Sequence, residues 1–276
     1  MKGIGSRYWD EVMPGVAARP QTLWRKHCDA VHASLLARGL GDAVARAALK
    51  TDLFDEATGD GLADVLMAKS GFLVGMDVSG RVLQAAAGRH PRLTVVAADA
   101  RRLPFAAGTF DLVFSNSTLD HFESQDEIFS SLGEISRVLR PGGRLILTMD
   151  NPANPAVALR NALPSGLLVR LGVIPYRTGV TCSAARLAQY LGSTGLEVSS
   201  TTYIMHCPRI IAVTAARWLE GRRTGRAARQ FLRWLGACEK LEGLPTRSWT
   251  GYFTAIIAVK PGPRARFGGD ADDARH

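Results

Sequence analysis

Three carboxylates recur at even steps along the first half of this chain: Asp55, Asp77 and Asp99. Asp55 opens the run Asp55-Glu56-Ala57-Thr58-Gly59-Asp60-Gly61, a glycine turn leading into a helix-like pattern. Asp77 closes Phe72-Leu73-Val74-Gly75-Met76, and Asp99 closes Leu93-Thr94-Val95-Val96-Ala97-Ala98. Short apolar runs ending on an acid read as buried parallel strands. A carboxylate about 20 residues beyond a glycine turn is where a Rossmann-like sheet grips the ribose hydroxyls of an adenosine cofactor. The third acid extends that grip from ribose to base. The pattern points to a nucleoside cofactor lying across the C-terminal strand ends.

Other phosphate-binding readings fail on residue type. No P-loop lysine followed by Ser or Thr is present, and no third glycine completes a dinucleotide turn. Strand and helix patterns alternate from about Leu49 to Met149, which demands an α/β sheet.

This stretch resembles the class I S-adenosylmethionine-dependent methyltransferases of the type-11 domain group. The resemblance rests on Asp55 to Gly61, with Ala57 in place of the first motif glycine. It also rests on the fourth-strand run Phe110-Asp111-Leu112-Val113-Phe114-Ser115-Asn116 and on Leu139-Arg140-Pro141-Gly142-Gly143-Arg144 leading into strand five. It implies a doubly wound, Rossmann-like seven-stranded sheet with S-adenosyl-L-methionine as cofactor and S-adenosyl-L-homocysteine as product. It assigns Asp55 and Gly59 to the methionine end, Asp77 to the ribose and Asp99 with Ala100 to the adenine, and counts Ala57, Gly61, Val78 and Asn116 among the cofactor-binding residues.

Methyl transfer to a hydroxyl is helped by a base near neutrality, and histidine suits that work. His121 follows the fourth strand, where the resembled family meets cofactor and substrate. Two readings stand: His121 takes the acceptor's proton, or it packs against the cofactor. Trp24, His27, Asn151 and His206 are the further substrate-pocket candidates. Each has a structural alternative, namely core packing for Trp24 and His27, a turn cap for Asn151 and a buried strand end for His206.

Around that centre, residues 1–48 read as an N-terminal helical cover with a break at Arg19-Pro20 and a second helix starting at Pro20. Leu23, Trp24, His27, Val31 and Leu35 share one helical face. Residues 49–260 read as the methyltransferase domain, its first strand near Leu49–Phe54 and its last two near 196–205 and 252–260. Two long connections, 151–181 and 207–250, are too apolar for disorder and form a cap. Within the second, Phe231, Trp234, Leu235 and Cys238 fall on one face and Arg226, Arg229 and Arg233 on the other. Residues 261–276 read as a disordered tail.

Composition narrows the class further. The 276 residues carry 46% hydrophobic side chains and a net charge of +9. No run approaches a membrane span, and the N-terminus lacks the apolar core of a signal peptide, so a cytoplasmic protein is expected. The four cysteines, Cys28, Cys182, Cys207 and Cys238, form no Cys-x-x-Cys and have no neighbouring histidine pair. That argues against a metal site and against a disulfide framework. The expectation is methylation of a small, partly hydrophobic molecule, most simply at a hydroxyl, in secondary metabolism or glycolipid assembly. The rivals are a non-catalytic cofactor-binding regulator or scaffold and, on charge alone, an RNA methyltransferase. The arginine stripe leaves peripheral contact with anionic lipid open, and the oligomeric state is not legible.

Overall fold

The computed structural model describes residues 5–18, 21–220 and 225–262. Pro20 and most of the 261–276 tail lie outside the described residues. Seven strands form one sheet in the order β3-β2-β1-β4-β5-β7-β6. They are β1 (Ala45–Lys50), β2 (Ser70–Asp77), β3 (Thr94–Ala97), β4 (Phe110–Asn116), β5 (Leu139–Asp150), β6 (Glu197–Ile204) and β7 (Phe253–Val259). Neighbours among β1 to β5 run parallel, and β7 inserts antiparallel between β5 and β6. The central strands are buried on both faces, as parallel strands must be when helices cover both sides.

Two helices form the N-terminal cover, α1 (Ser6–Ala17) and α2 (Thr22–Leu40). On α2 the residues Trp24, His27 and Leu35 are buried. Gly39 lets α2 settle onto the sheet, because a Cβ there would lie 2.5 Å from Ile146 Cδ1. Short helices α3 (Phe54–Thr58) and α4 (Ala63–Ala68) follow β1, then α5 (Gly80–Arg89) and α6 (Gln125–Val138) flank the sheet. Ser124 and Glu127 close a capping box on α6, satisfying two backbone N–H groups that the first turn leaves open.

The two long connections are helical. The first holds α7 (Pro155–Asn161) and α8 (Ser165–Arg170) and leads to α9 (Ala184–Ser193), N-capped by Ser183 and ended at Gly195 with φ +81°. The second holds α10 (Arg209–Glu220), α11 (Gly225–Cys238) and α12 (Arg247–Thr250). On α11, Phe231 and Leu235 are buried and Arg226, Arg229 and Arg233 exposed. Trp234, expected on the covered face, is 45% exposed and stacks on Phe231 at 6.0 Å.

One boundary is corrected. The first strand was expected near Leu49–Phe54 and the helical cover to reach residue 48, but β1 spans Ala45–Lys50. Ala, Arg, Leu and Lys are good helix formers, so the segment carries no local strand signal. Pairing with β2 and β4 on either side overrides that preference. Beyond Lys50 the chain leaves the sheet, and Leu53 crosses β2 at Gly75, where a Cβ would lie 2.5 Å from Leu53 Cδ2. Asp55 and Ala57 consequently sit on the helix α3 instead of in an open glycine turn.

Candidate functional site

The end of β2 is built by backbone donors. Asp77 Oδ1 accepts the Ser79 N–H at 2.9 Å, and Oδ2 accepts the Leu53 N–H at 3.1 Å. Burial raises the Asp77 carboxyl above its ordinary range, with those two N–H groups opposing the rise. Val78 is half-buried beside it. Ser79 caps α5 by accepting from Val82 N–H at 3.1 Å and donates its hydroxyl proton to Asp10 Oδ1 at 2.6 Å. Asp10 Oδ1 also accepts the Arg81 N–H at 3.1 Å, so α1 is latched over this turn.

The end of β1 is built by charge. Lys50 is fully buried, with Nζ 3.0 Å from Glu56 Oε2, 3.4 Å from Asp52 Oδ1 and 2.8 Å from the Asp52 carbonyl. Burial disfavours its ammonium, but Asp52 and Glu56 outweigh that and hold the group protonated. Burial pushes Asp52 up to about 7, Lys50 notwithstanding, because Glu56, Asp55 and Asp77 crowd it. Asp55 goes the other way. Burial would raise it, yet Arg25 from α2, Lys50 and His32 bring it below the ordinary range, and Arg25 Nη1 donates to Asp55 Oδ1 at 2.9 Å. Asn116 donates from Nδ2 to Asp55 Oδ2 at 3.2 Å and accepts from the Thr148 hydroxyl at 2.8 Å, tying the β1, β4 and β5 ends together. Gly61, at φ +59°, turns the chain under Glu56, where a Cβ would meet Oε1 at 2.6 Å. A Cβ at Gly59 would meet Arg25 Cδ at 3.0 Å. A cleft of about 220 Å³ opens here, lined by Arg25, Asp29, Thr58 and Gly59 among others. Asp29 is pushed up to about 7 by burial and by Asp55 and Glu56.

At the β3 end, Asp99 accepts from the Arg101 N–H at 2.9 Å and from the Arg101 guanidinium. Burial would raise the carboxyl, but Arg101 holds it below its ordinary range. Ala100 is buried next to it.

His121 closes a short 3-10 turn, Leu119–His121, after β4. Its ring meets Trp9 edge-on at 4.8 Å and Tyr176 at 5.5 Å, and Phe54 completes the aromatic wall at 5.5 Å from Trp9. The His121 Nδ1 is buried with no hydrogen-bond partner among the described residues, and Nε2 lies 3.8 Å from Asp120 Oδ1. Burial pushes the Tyr176 hydroxyl up to about 12. Gly179 presses this turn from behind. Its N–H donates to the Asp120 carbonyl at 2.8 Å, and a Cβ there would lie 1.9 Å from the Phe122 carbonyl oxygen.

Two pocket candidates are corrected. Asn151 is buried and spends its side chain on the backbone, donating to Ser248 O at 2.6 Å and Gly251 O at 2.9 Å and accepting from Ala153 N–H at 3.0 Å. His206 is 3% exposed and has both ring nitrogens engaged, with Thr250 Oγ1 at 2.7 Å and the Tyr203 carbonyl at 2.8 Å. Asn151 thus spends its amide N–H groups on the backbone and keeps spare capacity only on Oδ1, and His206 has no ring nitrogen left for a substrate. Trp24 and His27 are buried together at a ring separation of 5.8 Å, His27 facing Glu239 and Cys207 and not the strand ends.

Sequence reasoning missed several residues of the cleft. Arg25 and Lys50 carry no motif signal, and only the fold sets them against Asp55 and Glu56. Arg209, at the start of α10, lies over the Tyr252 ring at 4.5 Å, with Trp24 at 5.9 Å and Phe253 at 6.0 Å. No carboxylate among the described residues pairs with it, whereas neighbouring Asp150 pairs with Arg160 at 2.7 Å. A partly buried guanidinium with no carboxylate at salt-bridge distance among the described residues, over the rings of Tyr252, Trp24 and Phe253, is a ready-made hold for a negatively charged group.

Comparisons with known proteins agree with this architecture. Residues 54–147 match the family described as Methyltransferase domain. A demethylmenaquinone methyltransferase of Corynebacterium kroppenstedtii is 37% identical over 117 residues, covering 42% of this chain and 48% of that protein. The chain spans about half the length of the curated relatives it matches. Among solved structures, the methyltransferase in complex with the Haloferax volcanii Trm112 activator superposes with a TM-score of 0.59 at 17% identity, over 95% of this chain and 99% of that one. A sarcosine dimethylglycine methyltransferase from Galdieria sulphuraria gives 0.55 at 14% identity, over 85% of each chain. Residues 54–147 thus match a methyltransferase-domain family, and the fold is the Rossmann-like one of the solved structures on which the chain superposes.

Proposed function

We propose that this chain transfers a methyl group from S-adenosylmethionine to a small, partly hydrophobic acceptor. The observation that carries the reading is Asp77. Each of its oxygens accepts one backbone N–H and keeps lone-pair capacity for a ribose hydroxyl, at the end of the strand where this fold holds its nucleoside. The donor set fits the cofactor: Asp77 and Val78 would hold the ribose, Asp99 and Ala100 the adenine, and Asp55, Asn116 and the Gly59–Gly61 turn the methionine end. Bound there, the cofactor supplies an electrophilic methyl on a sulfonium. The protein's part is alignment, a proximity effect on the order of 7–11 kcal/mol in favourable cases.

An acceptor reaching the turn after β4 would meet the rings of Trp9, Phe54, Tyr176 and His121, and Arg209 over Tyr252 would offer it a cation. That composition supports a ring-bearing or lipid-like acceptor, a class that includes the quinone named for the curated relatives. A hydroxyl acceptor in secondary metabolism or glycolipid assembly is the finer form of the proposal. The buried Nδ1 of His121 and the aromatic rings around it favour placement of the acceptor over proton abstraction. Calorimetric titration with S-adenosylhomocysteine tests the core of the proposal, and no heat of binding would overturn it. A second reading, cofactor binding without catalysis, is favoured by Ala57 and the helix that replaces the glycine turn. Cofactor binding with no turnover against a panel of quinols, phenols and glycolipids would select it.

A further inference from the structure

Three segments distant in sequence, α2, the β6 exit and the turn after α11, bring His27, Cys207 and Glu239 together. His27 Nε2 lies 3.3 Å from Glu239 Oε1 and 4.0 Å from Cys207 Sγ, and all three donor atoms fall within 4.8 Å of one another. His27 and Cys207 are each 4% exposed. Around a tetrahedral zinc ion, with bonds of about 2.0–2.3 Å, donor atoms stand roughly 3.3–3.6 Å apart. The three side chains therefore need to close by no more than about 1.5 Å to share one ion.

The surroundings orient the donors. Glu239 Oε2 accepts the Met205 N–H at 3.0 Å and Oε1 the His206 N–H at 3.1 Å, which fixes the carboxylate as outer hydrogen bonds fix ligands in metal sites. Met205 holds φ +60°, a left-handed conformation costly for a residue with a Cβ. That turn aims two successive N–H groups at Glu239 and sets Cys207 beside His27. His206 is excluded as a ligand by its own two hydrogen bonds.

We propose that His27, Cys207 and Glu239 bind one zinc ion, with a water completing its coordination. Imidazole, thiolate and carboxylate are the donor types zinc accepts, and thiolate disfavours magnesium and calcium. Binding removes the Cys207 thiol proton, so one proton leaves as the ion enters. The ion joins α2 of the cover to the β6 exit and to the segment after α11, stapling cover and cap to each other.

The test uses the full chain, reduced and stripped with a chelator, titrated with zinc against a chromophoric competitor and separately with cobalt. Wild type is expected to take up one equivalent and to show a thiolate-to-cobalt charge-transfer band. Cys207→Ser and His27→Asn should lose affinity by about a hundredfold or more, beyond the 10–100-fold typical of outer-shell partners. Cys182→Ser, at a cysteine bonded to Gln125 instead, should bind as wild type does. Should the ligand variants fail to fold, the wild-type cobalt spectrum decides alone. Absence of the charge-transfer band, no zinc uptake, or equal uptake by folded Cys207→Ser would each overturn the proposal and leave an ordinary His27–Glu239 contact.

Discussion

The ends of β1 and β2 are neighbours in the sheet and solve one problem in opposite ways. Each must hold carboxylate close to the cofactor cleft. At β2, a single acid is satisfied by two backbone N–H groups, and no counter-charge is required. At β1, Asp52, Asp55 and Glu56 crowd together and are balanced by the buried Lys50 and by Arg25 reaching in from the cover. Backbone dipoles are fixed by local turn geometry, whereas an ion cluster stands or falls with every member. The β2 end should therefore be robust and local, and the β1 end fragile and dependent on distant helices.

Lys50→Met would break the contrast hardest. It leaves Glu56 buried without its cation and should cost about 3–5 kcal/mol in urea unfolding. The matched change at β2, Ser79→Ala, removes a helix cap worth about 1 kcal/mol. Equal losses would mean that the two ends do not differ as described.

Asp77→Ala should weaken S-adenosylhomocysteine binding by about 1.5–3 kcal/mol, roughly 10- to 150-fold by calorimetry. An unchanged affinity would remove the β2 end from the cofactor site.

A pH series sharpens the β1 side. Asp52 and Asp29 sit at about 7 in the free protein, so both are largely protonated at pH 6. The methionine end of S-adenosylmethionine is cationic and favours their ionised forms. Binding then releases protons, and affinity should rise as pH increases through 7, below it by up to about tenfold per unit for each of the two carboxylates. Asp52→Asn should remove about half of that slope, leaving the Asp29 share, and titrations in buffers of different ionisation enthalpy would count the protons.

Smaller effects are expected further out. Asp10→Ala unlatches α1 from Ser79 and Arg81 and should speed cofactor dissociation a few-fold in stopped flow, about 1 kcal/mol for the lost bonds. Reversing Arg226, Arg229 and Arg233 to Glu, all exposed on α11, should leave cofactor affinity within about twofold.

The same contrast explains what the sequence could disclose. Asp77 and Asp99 announce themselves because an apolar run ending on an acid is a local signal, and alternating strand and helix patterns disclose an α/β sheet, whose seven strands were what the family resemblance implied. The β1 boundary was hidden, since Ala45-Arg46-Ala47-Ala48-Leu49-Lys50 prefers helix until two strands flank it. Arg25, Lys50 and Arg209 gain their meaning only from side chains brought to them by the fold. Asn151 and His206 misled for the same reason: their hydrogen bonds go to Ser248, Gly251 and Thr250, far along the chain. Cys207 and His27, 180 residues apart, have no spacing that a motif could register.

Gly179 carries a consequence for redesign. Because its chain lies against the carbonyl of Phe122 with no room for a Cβ, the connection that would shape acceptor choice and the turn bearing His121 are one mechanical part. A graft that swaps residues 151–181 for the equivalent stretch of another methyltransferase would drag the His121 ring with it. Specificity in this scaffold is not modular. Exchange would have to include Ser117 to Phe122 in the same cassette, and a donor loop lacking glycine at the crossing point should displace the aromatic wall before it touches any acceptor.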